Sequence, residues 1–128
     1  MLLSALKNDN EAIKYYDILI KNNSNYSEAY INKGVSLSKL CKYKEAIDCY
    51  DRAIQLSTNN SSAFICKGVS LLNLDQNKDT IDCYNKAIHM NPYDSIIFYN
   101  KGISLNNLGK YKEAIDCYDK AIQLDSKN

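Results

Sequence analysis

Glycine inside a helix is less favourable than alanine by about 1 kcal/mol, yet Gly34, Gly68 and Gly102 recur 34 residues apart, each after a lysine and before Val or Ile, Ser and Leu. Three glycines held at one phase imply a repeated unit, and within it a packing reason for the missing side chain. Rows of 34 residues run over 27–60, 61–94 and 95–128, with 1–26 as the remainder of an incomplete row. The phase does not slip. Tyr30, Phe64 and Phe98 align, as do Leu37, Leu71 and Leu105, and Tyr16, Tyr50, Tyr84 and Tyr118. Ala46 and Ala114 align with Thr80 as the exception, and Lys42 to Leu56 differs from Lys110 to Leu124 only at Arg52 and Lys120.

Within a row, apolar residues recur at three- and four-residue spacing in two blocks, which predicts two helices per row. The breaks between blocks are short and polar or small, Cys41-Lys42 and Gly109-Lys110, so the two helices are expected to run antiparallel. Pro92 follows a second block and stops its helix, because it cannot donate the next helical hydrogen bond. Met1, Leu2, Leu3 and Leu6 are expected to form a short first helix ahead of the 1–26 remainder's second one.

With this row text the chain resembles the tetratricopeptide repeat family, whose unit is a 34-residue helix-turn-helix with small and aromatic residues at set phases. The resemblance covers nearly the whole chain. It implies an all-α fold, a right-handed α-solenoid of antiparallel helix pairs in a single domain over residues 1–128. In the family a glycine on the first helix and an alanine on the second let the backbones approach, while the aromatics fill the space between. Those roles fall on Gly34 with Ala46, Gly68 with Thr80, and Gly102 with Ala114. Thr80, together with Asp75 and Asn77 at the turn, departs from the pattern, and the middle row is expected to be looser. Lys33, Lys67 and Lys101 stand where many members carry leucine, with stems covering the core edge and ammonium groups in water.

Composition narrows the function. Sixteen basic and fifteen acidic residues leave a net charge of +1, against a nucleic-acid partner, which requires concentrated cations. No stretch approaches the ~20 apolar residues of a membrane span, and Met1 to Leu6 lacks the features of a secretion signal. The five cysteines include Cys49, Cys83 and Cys117 on the repeat phase. Equivalent helices stack about 8–10 Å apart, too far for a disulfide, so these read as small core fillers. Free thiols fit a reducing, cytoplasmic compartment. With one histidine, His89, and no Cys-x-x-Cys pair, no metal, cofactor or nucleophilic site is expected. The chain reads as non-catalytic.

By resemblance, the first helix of each repeat lines a concave groove. Helical projection then puts Ile31, Asn32 and Val35 of row one on that face, with Ile65, Cys66, Val69 and Asn73 of row two and Tyr99, Asn100, Ile103 and Asn107 of row three. The face is apolar and amide-rich. Members that bind chaperone carboxylate tails use Lys, Asn and Arg at places held here by Ile31, Val35, Cys66, Ile96 and Asn100, so a heat-shock chaperone tail is not the expected ligand. Asn32 and Asn100 match an asparagine ladder that bonds to a peptide backbone in other members, with Cys66 interrupting it. Bonding of both amides within the repeat or to water is the competing reading. The implied function is a scaffold binding a peptide or helix of a partner protein. A second reading is self-assembly into a dimer or longer superhelix through Leu3, Leu6, Ile115, Tyr118, Ile122 and Leu124 at the two ends, with exchange of terminal helices as a variant.

Overall fold

The computed structural model describes the backbone of residues 2–126 and the side chains of residues 7–126. Seven α-helices follow one another, α1 (Leu2–Asn22), α2 (Ser27–Lys39), α3 (Tyr43–Leu56), α4 (Ser61–Asn73), α5 (Asn77–Met90), α6 (Ser95–Asn107) and α7 (Tyr111–Asp125), with no strand among the described residues. Each helix packs on the one before it. In addition α2 touches α4 and α4 touches α6, whereas α3, α5 and α7 do not touch one another. The chain is therefore an all-α solenoid that curves with α2, α4 and α6 on the inside.

The turn inside each hairpin is built the same way. Cys41, Asp75 and Gly109 share one phase and all adopt the left-handed conformation, φ 62°, 60° and 78°. At each, a paired return closes the first helix: Lys42, Gln76 and Lys110 N–H donate to the carbonyls of Leu37, Leu71 and Leu105 at 2.9 Å. This Schellman arrangement satisfies the last carbonyls of the helix. Side-chain caps open the first helices of two hairpins, α4 and α6, with Asn60 accepting from Ala63 N–H and Asp94 from Ile96 N–H.

One expectation changes at the amino end. Residues 2–22 form one continuous helix, not a short first helix followed by a second. Lys7 occupies the phase of the left-handed turn residues but is helical. Side chains of Leu2, Leu3 and Leu6 lie outside the described residues, as does Met1.

The core is a series of three clusters rather than one centre. Leu37, Ala46, Cys49 and Tyr50 form the first, Phe64, Tyr84, Ala87 and Ile97 the second, and Leu105, Ala114 and Cys117 the third. Cys49, Cys83 and Cys117 are buried fillers, and burial pushes their thiols up. The middle row's departures acquire polar partners. The buried Thr80 hydroxyl donates to the Gln76 carbonyl at 2.9 Å, and Asn77 donates to Asp75 while accepting from Asn107 of the next hairpin at 3.1 Å.

Candidate functional site

A tyrosine sixteen residues beyond each glycine explains the glycine clock. A Cβ on Gly34, Gly68 or Gly102 would lie 2.5, 2.6 and 2.6 Å from Cε1 of Tyr50, Tyr84 and Tyr118. The occupant of each gap is thus this ring on the second helix. Tyr50 also reaches the inner face, where its hydroxyl shares a hydrogen bond with Ser38 at 3.3 Å, and Ser38 with Ser70 at 3.1 Å. Three helices are tied by this chain of hydroxyls. Burial pushes Tyr50 up to about 12 against the opposing effect of Ser38.

The next row lacks the donor. Leu72 stands at the phase of Ser38, and the buried Tyr84 hydroxyl has no hydrogen-bond partner. Burial raises its pKa well above the usual phenol value, opposed by the nearby Asn100 amide. Asn100 of α6 thus faces the orphaned hydroxyl of α5 without bonding it within hydrogen-bond geometry.

Between α2, α3 and α4 the inner face opens into a depression of about 320 Å³. Val35, Ile65, Cys66, Val69 and Asn73, all expected on the groove, line it, with Ser38 and Lys39 beside them. Tyr43 and Tyr50 complete the wall from the second helix. The helical projection missed both, because it considered first helices alone. The recurring glycine-to-tyrosine offset was the signal that places Tyr50 there.

The remaining expected residues divide. Ile31, Val35 and Cys66 are half-buried against the first core cluster and Ile65 against the second, so they form the floor of the groove. Val69 stands 37% exposed on its surface. Ile103 is half-buried, and Asn32 is exposed. Asn73 donates to the Val69 carbonyl at 2.9 Å and Asn107 donates to Asn77, while both residues remain exposed. Tyr99 lies away from the depression, its ring 5.7 Å from that of Tyr118.

Two ion pairs join successive hairpins on the other side of the first helices. Lys33 meets Asp17 and Lys67 meets Asp51, both at 2.6 Å. The hydrogen bond that the Lys33 ammonium donates to the Asp17 carboxylate raises the Lys33 pKa against the opposing effect of burial. These lysines therefore do more than shield the core edge, and Asp51 is a clamp as well as a surface charge. At the third joint the acid is replaced by Asn85 opposite Lys101.

A second depression of about 450 Å³ lies on α6 and α7, lined by Ile96, Tyr99, Tyr118, Ala121 and Ile122, with Ser95 and Asp125 hydrogen-bonded at its rim. Of the residues expected at this end, Ile115 and Ile122 are exposed and Tyr118 is half-buried against the Gly102 gap. Leu124 is buried and presents nothing outward, a correction to its place in the end surface. Leu3 and Leu6 lie outside the described side chains. No described helix is long and apolar enough to cross a membrane.

A sequence model of the tetratricopeptide repeat matches residues 27–60 and 95–128. A search of curated proteins returned no match. Among solved structures, a crystal structure of MamA superposes with TM-score 0.89 at 24% identity over 93% of this chain and 70% of that one. MamA 41-end from Desulfovibrio magneticus RS-1 gives 0.88 at 24% identity over 94% and 68%. A MamA AMB-1 structure gives 0.82 at 19% identity over 91% and 69%. At these identities the likeness shows the fold.

Proposed function

Because the chain belongs to the tetratricopeptide repeat family, whose members generally act as non-catalytic scaffolds for protein contacts, we propose that it holds a segment of a partner protein on its inner face. The repeats that present this face are 27–60, 61–94 and 95–128, preceded by the partial 1–26. The reading is carried by the depression between α2, α3 and α4. It is open, its floor is the half-buried Val35, Ile65 and Cys66, and Val69 offers exposed hydrocarbon at its edge. An extended chain or amphipathic helix covers such a strip with apolar side chains. Asn32 and Asn100, whose amides both donate and accept, bond to its backbone. The near-zero net charge supports a protein or peptide ligand over nucleic acid.

Selection from a displayed library of random peptides, followed by titration of the winners, tests the reading. Binding to Val69→Asp is expected to weaken at least about tenfold, or 1.4 kcal/mol, and binding to Asn100→Ala by less. Winners that bind wild type and Val69→Asp equally would place recognition elsewhere.

A further inference from the structure

The inner face has two intervals, α2 to α4 and α4 to α6, and their polar groups are satisfied differently. In the first, the Tyr50 hydroxyl bonds with Ser38 at 3.3 Å and Ser38 with Ser70 at 3.1 Å. In the second, the same phases behave otherwise. Leu72 replaces Ser38 and can neither donate nor accept. Ser104, at the phase of Ser70, turns to its own helix and donates to the Asn100 carbonyl at 3.4 Å. Tyr84, at the phase of Tyr50, is fully buried, and its hydroxyl has no partner.

The polar side chain left within reach of that hydroxyl is Asn100. It stands half-buried on α6 at the phase of Cys66, which lines the depression beside Tyr50. Burial raises the Tyr84 pKa, and the Asn100 amide opposes the rise. The two groups face each other short of hydrogen-bond geometry, and rotation of the Asn100 side chain closes the gap. A buried donor left bare is rarer than a half-used acceptor, so the phenol proton goes to Asn100 Oδ1. Both amide N–H groups then remain for the inner face, where they can only donate.

We propose that Tyr84 is the positioning residue of Asn100: its hydroxyl fixes the amide with the N–H groups toward the bound segment, so the partner presents a carbonyl acceptor at this interval and not a donor. The inference rests on the inner-face reading and sharpens it. The first interval, with its hydroxyls bonded to one another, takes hydrocarbon beside Val69, and the second takes a hydrogen-bond acceptor. Tyr84 itself touches no ligand, since its hydroxyl is buried, and acts through Asn100 alone.

The test uses the full chain and an uncharged peptide selected on it from a displayed random library. Tyr84→Phe keeps the ring that fills the Gly68 gap and removes the hydroxyl alone. It is expected to unfold at no lower urea concentration than wild type, yet to bind the peptide about threefold more weakly, the share of one hydrogen bond. A merely structural hydroxyl would leave affinity unchanged. Asn100→Ala is expected to weaken binding about fivefold, and the double variant no further, because the hydroxyl acts only through the amide. Asn100→Asp, whose carboxylate accepts but cannot donate, is expected to bind more weakly than Asn100→Ala. Unchanged binding by Tyr84→Phe, with binding lost in Val69→Asp, overturns this proposal and leaves the inner-face reading standing. Additive losses in the double variant overturn it too, as does Asn100→Asp binding as well as Asn100→Ala or better. A library that yields no binder, or only binders indifferent to Val69→Asp, overturns the inner-face reading and this inference with it.

Discussion

Gly68 and Tyr84 illustrate how one contact outweighs local propensity. Alanine at position 68 gains about 1 kcal/mol as a helix former, but its Cβ would fall 2.6 Å from a ring with no exposure and no room to yield. Gly68→Ala is therefore expected to destabilise the fold by about 1–3 kcal/mol, the usual cost of overpacking, read as a lower urea midpoint. The hydroxyls of two equivalent tyrosines have opposite value. Tyr84→Phe removes an unpartnered buried oxygen and is expected to stabilise by about 1 kcal/mol, whereas Tyr50→Phe breaks the bond to Ser38 and costs about 0.5–1.5 kcal/mol. Denaturation of the two variants side by side checks the sign. The spacing of the glycines was legible in the sequence as a packing demand. That an aromatic fills the space followed from the family resemblance, but which one did not, because Tyr30, Phe64 and Phe98 recur at the same period as Tyr50, Tyr84 and Tyr118. Nor was the orphaned hydroxyl legible, since Leu72 reads as one more apolar residue until its opposite number is known to be Ser38.

Between helices, the joints are alike in hydrocarbon and unlike in charge. Asp17 to Lys33 and Asp51 to Lys67 are paired across successive hairpins, while Asn85 leaves Lys101 with a neutral neighbour. Each pair is partly exposed and is expected to contribute about 0.2–1 kcal/mol. Asp51→Asn should lose that amount, and Asn85→Asp should gain it by completing the series. Thermal melts at low and high salt distinguish the ionic effect, because only the charged variants respond to screening. Helix number after residue 27 followed from apolar spacing and from the short polar or small breaks between blocks. At α1 the repeat phase predicts a short first helix on Met1, Leu2, Leu3 and Leu6 and a second one after it, whereas residues 2–22 form a single helix. Lys7 keeps helical backbone at the phase where Cys41, Asp75 and Gly109 turn, and the helix runs on through it.

Over the whole molecule, three core clusters in series give cohesion that is greatest where a helix has neighbours on both sides. Arrays of this kind open from their ends. Amide hydrogen exchange is expected to be fastest in α1 and α7 and slowest in α3, α4 and α5, a ranking that mass spectrometry of proteolytic fragments reads directly. Equal protection throughout would contradict serial packing. The inner placement of α2, α4 and α6 came from family resemblance and not from the residues, because curvature depends on which helices touch across a hairpin. Asn73 and Asn107 show the same limit: the hydrogen bonds they donate to Val69 and Asn77 depend on neighbours that helical projection does not supply. The ring-filled gap has a further implication, since glycine and tyrosine belong to a single hairpin. Excision of residues 44–77 would fuse the front of one unit to the back of the next and leave every surviving gap with a ring. The shortened polypeptide would also bring Ser38 opposite Tyr84 and give that solitary phenol a mate, so the chain can be edited like a string of interchangeable cassettes.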